Sequence, residues 1–459
     1  MTQLIKTPTT RRMLRVDVVD HGERHKHGSR RCEIGKHVVF DTSRLESYFF
    51  REWSPVLFDT LLVAAAVEFA DRTQKRPQAG WSRDFELRIP VSDPELWSQP
   101  EVKTALRAAL NLLTGDSWLF SFRARSKPDC QPRQGVCNLQ NDAEAVIPFS
   151  DGLDSRAVAG LMALRFGHRL VRVRLGQSRV PSAGRHYQPF TSVPYRVRND
   201  AKQFRETSVR SRGFKFSVLA GMAALLAGAS TVLIPESGQG ALGPMLVPVG
   251  PAYVDYRNSP LFSVRMERFF RALTGNSPKF EFPRLWHTKG ETLKSFTQQC
   301  EDGETWVSTR SCWQQSRQVG IGGKLPQCGV CAACMLRRMS VHSAGLAEPA
   351  DTYIWQTLRE SSFEAGACPS FNKLTRAMKE YAIGGVLHLD HLANLVGSGS
   401  NDEELSLVAH QLSQALKISP RITKSRTLRL LGRHQDEWSD FVDSLGADSF
   451  VSNWTASPR

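Results

Sequence analysis

The chain lacks any long uninterrupted apolar run. Its longest such stretch, Phe214 to Ile234, opens with Lys215 and Ser217 and is broken by Gly228 to Thr231. It reads as a buried helix followed by a buried strand, and it argues against a membrane span. The segment Met1 to Arg15 is polar and basic with no apolar core, which argues against a secretory signal and predicts a cytoplasmic protein. Thiols are reduced in that compartment, so the nine cysteines should be free or metal-bound and not paired as disulfides. Acidic charge is also scarce. The 45 Asp and Glu face 60 Lys and Arg, a net +15, which favours anionic partners: nucleotides, nucleic acid or an acidic protein surface. Solubility alone accounts for such a balance as well.

With 459 residues the chain should make two or three domains. Residues 1–140 show strand patterns at Met13–Val19, Glu33–Phe40, Phe85–Pro90 and Trp118–Ala124, and helix patterns at Pro55–Phe69 and Val102–Leu113. They follow no regular βαβ rhythm, so this part is expected to be an α+β region without chemistry of its own. Met1–Arg12 reads as a loose tail, and Pro128–Asn141, rich in Pro, Gln, Asn and Asp, as a linker.

From 141 to 346 strands and helices alternate. Val146–Phe149, Leu170–Leu175, Tyr195–Val197 and Thr231–Ile234 suit strands, and Phe214–Ala227 suits a helix. That alternation predicts an α/β fold with a parallel sheet covered on both faces. Ligands of such sheets lie beyond the carboxyl ends of the strands. Three stretches then share one rim: Ser150–Ser155, the turn after Leu175, and Glu236–Gly240. Residues 347–459 are expected to be helical, over Thr352–Ser361, Phe371–Ile383, Leu387–Leu395, Asp402–Leu416 and Arg426–Leu445. The basic run Arg421–Arg426 interrupts that series. It could touch nucleic acid, but a helical cap or partner surface is the preferred reading.

The stretch around which the chain is organised is Glu144 to Gly167. The apolar residues Val146, Ile147 and Phe149 lead into Ser150-Asp151-Gly152-Leu153-Asp154-Ser155, and an Ala/Leu-rich helical pattern follows. A strand that turns into a helix N-terminus offers free backbone N–H groups and the positive end of the helix dipole, a place for an anion. Gly152 allows close approach, Ser150 and Ser155 add hydroxyls, and Asp154 suits Mg²⁺ or the orientation of the loop. The bland reading is a plain turn. Arg212, just before the Phe214 helix, suits an anion or a solvated cap.

Cys312, Cys328, Cys331 and Cys334 form a C-x15-C-x2-C-x2-C pattern. Four thiolates so spaced suit a closed, tetrahedral zinc site, with an iron–sulfur cluster as the alternative. Cys32, Cys130, Cys137, Cys300 and Cys368 have no such spacing.

Loop and cysteines together resemble the QueC-like branch of the 7-cyano-7-deazaguanine synthase family, which belongs to the N-type PP-loop ATP pyrophosphatases. Ser150, Gly152, Asp154 and Ser155 match the family's Ser-Gly-Gly-x-Asp-Ser, and Asp151 stands where the family has Gly. An Asp there brings negative charge toward a pyrophosphate and removes a permissive backbone position. Thr288-Lys289-Gly290-Glu291 resembles the family's Thr-Lys-x-Glu, and Thr309-Arg310-Ser311-Cys312-Trp313 its Thr-x-Ser-Cys-Tyr. Cys328-Gly329-x-Cys331-x-x-Cys334-x-x-Arg337 is similar to its zinc knuckle, and Arg212 to the Arg of its Pro-Gly-Arg-Asn step. The likeness covers residues 144 to 346. The flanks make the chain similar to the enlarged QatC-type proteins of bacterial anti-phage operons.

The resemblance implies ATP, Mg²⁺ and Zn²⁺ as cofactors. It implies a carbon–nitrogen ligase in which ATP adenylates a deazaguanine-type carboxylate, pyrophosphate leaves, and an amine displaces AMP. Ser150, Asp151, Gly152, Leu153, Asp154 and Ser155 would hold the nucleotide. Asp154, Ser155, Arg212 and Lys289 would be catalytic, and the four cysteines would hold zinc. Flanks without chemistry point to a partner protein of the same operon as the amine acceptor. Two other readings compete: a binding subunit that lost catalysis, with Asp151 as its symptom, and a tRNA-modifying PP-loop enzyme.

Overall fold

The computed structural model describes residues 13–42, 45, 55–77, 80–126, 142–176, 190–201, 204–249, 252–314, 316–321, 323–396 and 399–456. The expected tail Met1–Arg12 and linker Pro128–Asn141, with Cys130 and Cys137, lie outside the described residues. The architecture is mixed α/β with parallel sheets and many helices.

The N-terminal strands are β1 (Leu14–Val19), β2 (Arg30–Glu33), β3 (Val38–Phe40), β4 (Asp84–Val91) and β5 (Ser117–Ala124). Four of them form a sheet in the order β2-β1-β4-β5, parallel at every pairing. This corrects the α+β expectation. The rhythm is hidden in the sequence because β1 reaches β2 through a loop instead of a helix. Glu33–Phe40 is likewise two strands and not one. Gly35, at φ +85°, turns the chain in the left-handed region that glycine tolerates. β3 then pairs antiparallel with β9 (Tyr195–Val197) as a separate ribbon, so Tyr195–Val197 is not a strand of the second sheet.

That second sheet has five strands, β6 (Ala145–Pro148), β7 (Leu170–Leu175), β8 (Phe190–Val193), β10 (Thr231–Leu233) and β11 (Lys279–Glu281). Their order is β11-β10-β6-β7-β8 and every pairing is parallel. Both of its faces are covered. On one, a single apolar cluster joins Val146, Val171, Val173 and Val232 to Val16, Val18, Phe85 and Leu87 of the first sheet. Helices Pro55–Thr73 and Arg212–Ala227 fill the space between. In the former every residue from Asp59 to Asp71 is buried, as a helix surrounded by protein requires. The opposite face carries helix Leu153–Phe166, whose Val158 and Ala159 pack on Ala145, Ile147, Leu170 and Leu233. Helix Lys289–Gln299 lies over that helix. A Cβ at Gly160 would overlap the Phe296 ring, so glycine is what lets the two helices meet.

The C-terminal part is helical with two changes to the expected elements. Arg376–Ala393 is one helix where two were expected, and Pro420–Leu445 begins early enough to include the basic run Arg421–Arg426. Asp402–Leu416 stands as expected. Thr352–Ser361 is not an α-helix. It forms isolated bridges, Gln327 with Tyr353 and Trp355 with Ala367. Tertiary packing overrides its helical periodicity, because Tyr353, Ile354 and Trp355 are needed in the core beside the cysteines. Among the described residues no helix is long and apolar enough to cross a membrane.

Candidate active site

The three stretches expected on one rim follow β6, β7 and β10 of the five-stranded parallel sheet. Ser150–Ser155 connects β6 to helix Leu153–Phe166. Its shape is fixed by hydroxyls: the Ser150 amide donates to Ser155 Oγ at 2.7 Å, and the Gly152 amide donates to Ser150 Oγ at 3.2 Å. Gly152 is the N-cap and places no side chain on the first turn. The helix therefore starts with its N–H groups uncapped by its own sequence, the arrangement that receives an anion.

Asp151 is gripped by Arg174 from the end of β7. Its two carboxylate oxygens accept from Arg174 Nη1 and Nη2 at 2.7 and 2.8 Å. A bidentate pair of this kind is strong and directional. The negative charge at this position is thus met by a cation on the neighbouring strand. The Asp151 carbonyl also accepts the Arg310 amide at 2.8 Å, which ties the loop to the segment leading to Cys312.

Asp154 pairs with the Lys289 ammonium through Oδ2. Its Oδ1 is buried and receives no bond from an amide, hydroxyl or cation, but the Asp154 carboxyl also shares a hydrogen bond with the protonated carboxyl of Glu236. Glu236, after β10, completes the cluster. Its carboxyl is pushed up to about 8, first by burial and then by the charge of Asp154, with Lys289 acting in the other direction. Asn258 Nδ2 donates to Glu236 Oε2 at 2.6 Å. Gly240 is required here, since a Cβ on it would overlap the Glu236 carboxylate. Burial opposes the charge on Lys289, but Asp154 and Glu236 outweigh it and hold its pKa above the ordinary value. Two carboxyl groups and one ammonium leave one negative charge to be met by a proton or a cation.

Lys289 opens helix Lys289–Gln299. Thr288 and Glu291 form a reciprocal capping box, the device that fixes a helix start. The Lys289 amide donates to Gln239 Oε1 at 2.7 Å. Arg212 stands apart from this group. It begins its helix as expected but is exposed, with its guanidinium 5.5 Å from the centre of the Phe216 ring. No hydrogen bond or ion pair joins it to Ser150–Ser155 among the described residues. Of the expected catalytic residues, Asp154, Ser155 and Lys289 come together and Arg212 does not join them.

Cys312, Cys328, Cys331 and Cys334 also come together. Their sulfurs all lie within 4.8 Å of one another, a group able to hold a metal ion such as zinc. Backbone amides point at the sulfurs. Cys328 and Gln314 donate to Cys312 Sγ at 3.2 and 3.3 Å, and Cys331 donates to Cys328 Sγ at 3.3 Å. Gly329, at φ +89°, makes the turn that aims them. Cys331 is the N-cap of helix Ala332–Ser343 and Cys334 lies in its first turn, so the helix dipole favours thiolates there. The Cys312 thiol is pulled far below its usual range by the three thiols that donate toward it, while burial pushes Cys328 and Cys334 up. These features fit a resident cation.

Arg337, fully buried, braces the knuckle. It donates to Glu348 Oε1, Thr309 Oγ1 and the Trp306 carbonyl. The cysteines share one apolar core with the C-terminal region, through Met378 and Trp438 of its helices and Trp355 and Phe450 of its connecting segments. A Cβ at Gly385 would sit 2.8 Å from the Ala332 nitrogen, so the Arg376 helix lies directly on the knuckle.

Arg174 and Asn258 carry no motif, and sequence reasoning did not single them out. Gln239 lies in the Glu236–Gly240 stretch expected on the rim but was given no role there, and Arg174 lies near the carboxyl end of its strand. Comparison of the chain with family models, with curated proteins and with solved structures gives no match.

Proposed function

We propose that this chain is an ATP-dependent carbon–nitrogen ligase of the N-type PP-loop kind, resembling the 7-cyano-7-deazaguanine synthases. It adenylates a deazaguanine-type carboxylate with release of pyrophosphate, and an amine then displaces AMP. The observation that carries the reading is the buried pair of carboxyls Asp154 and Glu236 beside Lys289, at an uncapped helix N-terminus. Two carboxyls this close are held together by a shared proton, and a divalent cation is the natural replacement for it.

In this reading the amides of Leu153, Asp154 and Ser155 receive the phosphates of ATP. Asp154 would hold Mg²⁺, whose charge offsets that of the phosphates. Lys289 is released from Asp154 toward the charge that develops on the departing pyrophosphate, a stabilisation aimed at the transition state. Zinc on the four cysteines would hold the Cys312–Cys334 loop against Asp151 and has no part in the chemistry.

The rival reading, a binding subunit that has lost catalysis, drew its support from Asp151. The Arg174 pair removes that support. The acceptor amine is small, or belongs to a partner protein.

The test is mass spectrometry of reactions containing ATP, Mg²⁺ and 7-carboxy-7-deazaguanine. AMP, pyrophosphate and an amidated product are expected, and Asp154→Asn should abolish all three. Formation of ADP alone, or of nothing, overturns the reading.

A further inference from the structure

We propose that the C-terminal helix Pro420–Leu445 is a working part of this site: Glu437 and His434 are positioning residues that set Lys289 through Gln239 and Thr288. The inference rests on Lys289 having the role given above, but its geometry stands by itself.

His434 is fully buried. Its Nε2 lies 2.9 Å from the Leu389 carbonyl, which can only accept. Nε2 therefore carries the proton. Burial keeps the ring neutral by pushing its pKa down to about 4, so Nδ1 is a bare acceptor. Gln239 Nε2 lies 2.9 Å from that Nδ1 and donates to it. The same nitrogen donates to Glu437 Oε2 at 3.1 Å. Two acceptors from one helix thus claim the amide nitrogen of Gln239, and its oxygen has one direction left. It faces the Lys289 amide at 2.7 Å.

Glu437 also acts by a second route. Its Oε1 accepts from Thr288 Oγ1 at 2.5 Å and from Ser343 Oγ at 3.1 Å. Thr288 is the N-cap of the helix that Lys289 opens. The fit is close: a Cβ at Gly290 would lie 2.8 Å from both Glu437 Oε1 and Ser343 Oγ. Leu430, two turns earlier on the C-terminal helix, reaches the space beside Gly238 at the start of the Gln239 helix. Residues on both sides of Lys289 are thereby held by one helix. A helix serving only as a cover would need apolar contacts and no such chain of directed donors and acceptors.

The experiment reads the position of Lys289 without relying on catalysis. Competitive amine labelling of the full chain, followed by peptide mass spectrometry, compares Lys289 with Lys294, which is exposed on the same helix. In the wild type Lys289, buried on Asp154, should react slowly. Glu437→Gln has one acceptor oxygen and can serve Gln239 or the Thr288 and Ser343 hydroxyls but not both, and Gln239→Met removes the link itself. Each should raise the Lys289 rate about tenfold, the effect of losing one hydrogen bond to a charged group, with Lys294 unchanged. The double variant should do no more than either single one, since both act through one path. A Lys289 rate within about twofold of wild type in both variants overturns the inference. A rise shared by all lysines also overturns it, because Glu437 would then merely hold the fold. ATP–pyrophosphate exchange adds a kinetic arm, in which the variants should lose about tenfold in kcat at little change in KM. If wild-type protein shows no exchange, the ligase reading fails while the labelling still decides the positioning.

Discussion

Two buried clusters of charge in this molecule have opposite accounts. In the N-terminal half, Asp71 and Asp116 meet Arg76 and Arg83, two carboxylates with two guanidiniums. Arg83 Nη2 lies 2.5 Å from Asp71 Oδ1 and 2.7 Å from Asp116 Oδ2. Arg76 Nη1 lies 2.9 Å from Asp116 Oδ1, and the Ser211 amide donates to Asp71 Oδ2 at 2.9 Å. Every carboxylate oxygen there has a partner. At the rim of the second sheet, Asp154 and Glu236 share Lys289, and a proton held between the two carboxyls makes up the balance. The first cluster is neutral and closed, which is what a purely structural junction of helices and strand ends requires. The second is balanced through an exchangeable proton at a helix N-terminus, which is what a site awaiting a cation and an anion requires. The four cysteines belong with the second kind, because four thiolates gathered within 4.8 Å would need a cation to balance them.

The comparison is broken most severely at the cysteines. Chelation, or Cys331→Ser, should remove one equivalent of zinc and cost several kcal/mol of stability, since metal binding and folding are coupled. The apolar core shared with Trp355 and Trp438 should loosen together with the knuckle. Elemental analysis alongside thermal melting checks this. Iron in the protein, or a fully stable metal-free chain, would contradict it.

Next in size is the neutral cluster. Arg83→Met leaves Asp71 and Asp116 short of a cation in a dry interior, which should cost about 3–5 kcal/mol by urea unfolding. Arg83→Lys should recover only part of it, because an ammonium cannot match the fork that reaches both carboxylates. At the rim the same logic runs the other way. Asp154→Asn removes one of two like charges, so unfolding free energy should change by less than about 1 kcal/mol while AMP formation is lost. A stability loss as large as that of Arg83→Met would make the rim cluster structural as well. Asp151→Gly takes away the carboxylate that Arg174 grips and should cost about 1–3 kcal/mol of stability, without the stronger ATP binding expected if Asp151 merely repelled a nucleotide.

These expectations show which parts of the molecule can be read from sequence. The β6–loop–helix unit and the cysteine knuckle are local, with their residues adjacent or closely spaced, so both are legible. The partners that give the loop its electrostatics are not. Arg174 is 23 residues from Asp151 and Lys289 is 135 from Asp154. Gln239 and Glu437 are 198 residues apart. Such pairs arise from strand order and helix packing, which periodicity does not encode. The N-terminal parallel sheet was hidden for the same reason, its β1–β2 link having no helix to announce it. The helical reading of Thr352–Ser361 failed because the apolar residues that gave it helical spacing, Ile354, Trp355 and Leu358, were claimed by the knuckle's core.

The remaining effect expected is gradual, a slope with pH and not a single step. Burial pushes the Glu437 carboxyl up to about 7, against hydrogen bonds from Thr288, Gln239 and Ser343 that act to lower it. A carboxyl whose folded pKa exceeds its unfolded one binds its proton more tightly when folded. Its contribution to stability is therefore present below the unfolded pKa and is lost as pH rises through the folded one, here between about 4.5 and 7. The span corresponds to about 3 kcal/mol. Glutamine at this position cannot titrate, so Glu437→Gln should lack that part of the slope. The other raised carboxyl, Glu236, is common to both proteins and cancels in the difference. Thermal melts of the pair at pH 5, 6, 7 and 8 should show the wild type losing its advantage as pH rises and levelling above about 7. Parallel curves would mean that Glu437 stays ionised in the folded chain throughout. The C-terminal helix would then present a fixed charge to Thr288 and Gln239, placing Glu437 with the settled pairs of the N-terminal cluster instead of the unsettled ones at the rim.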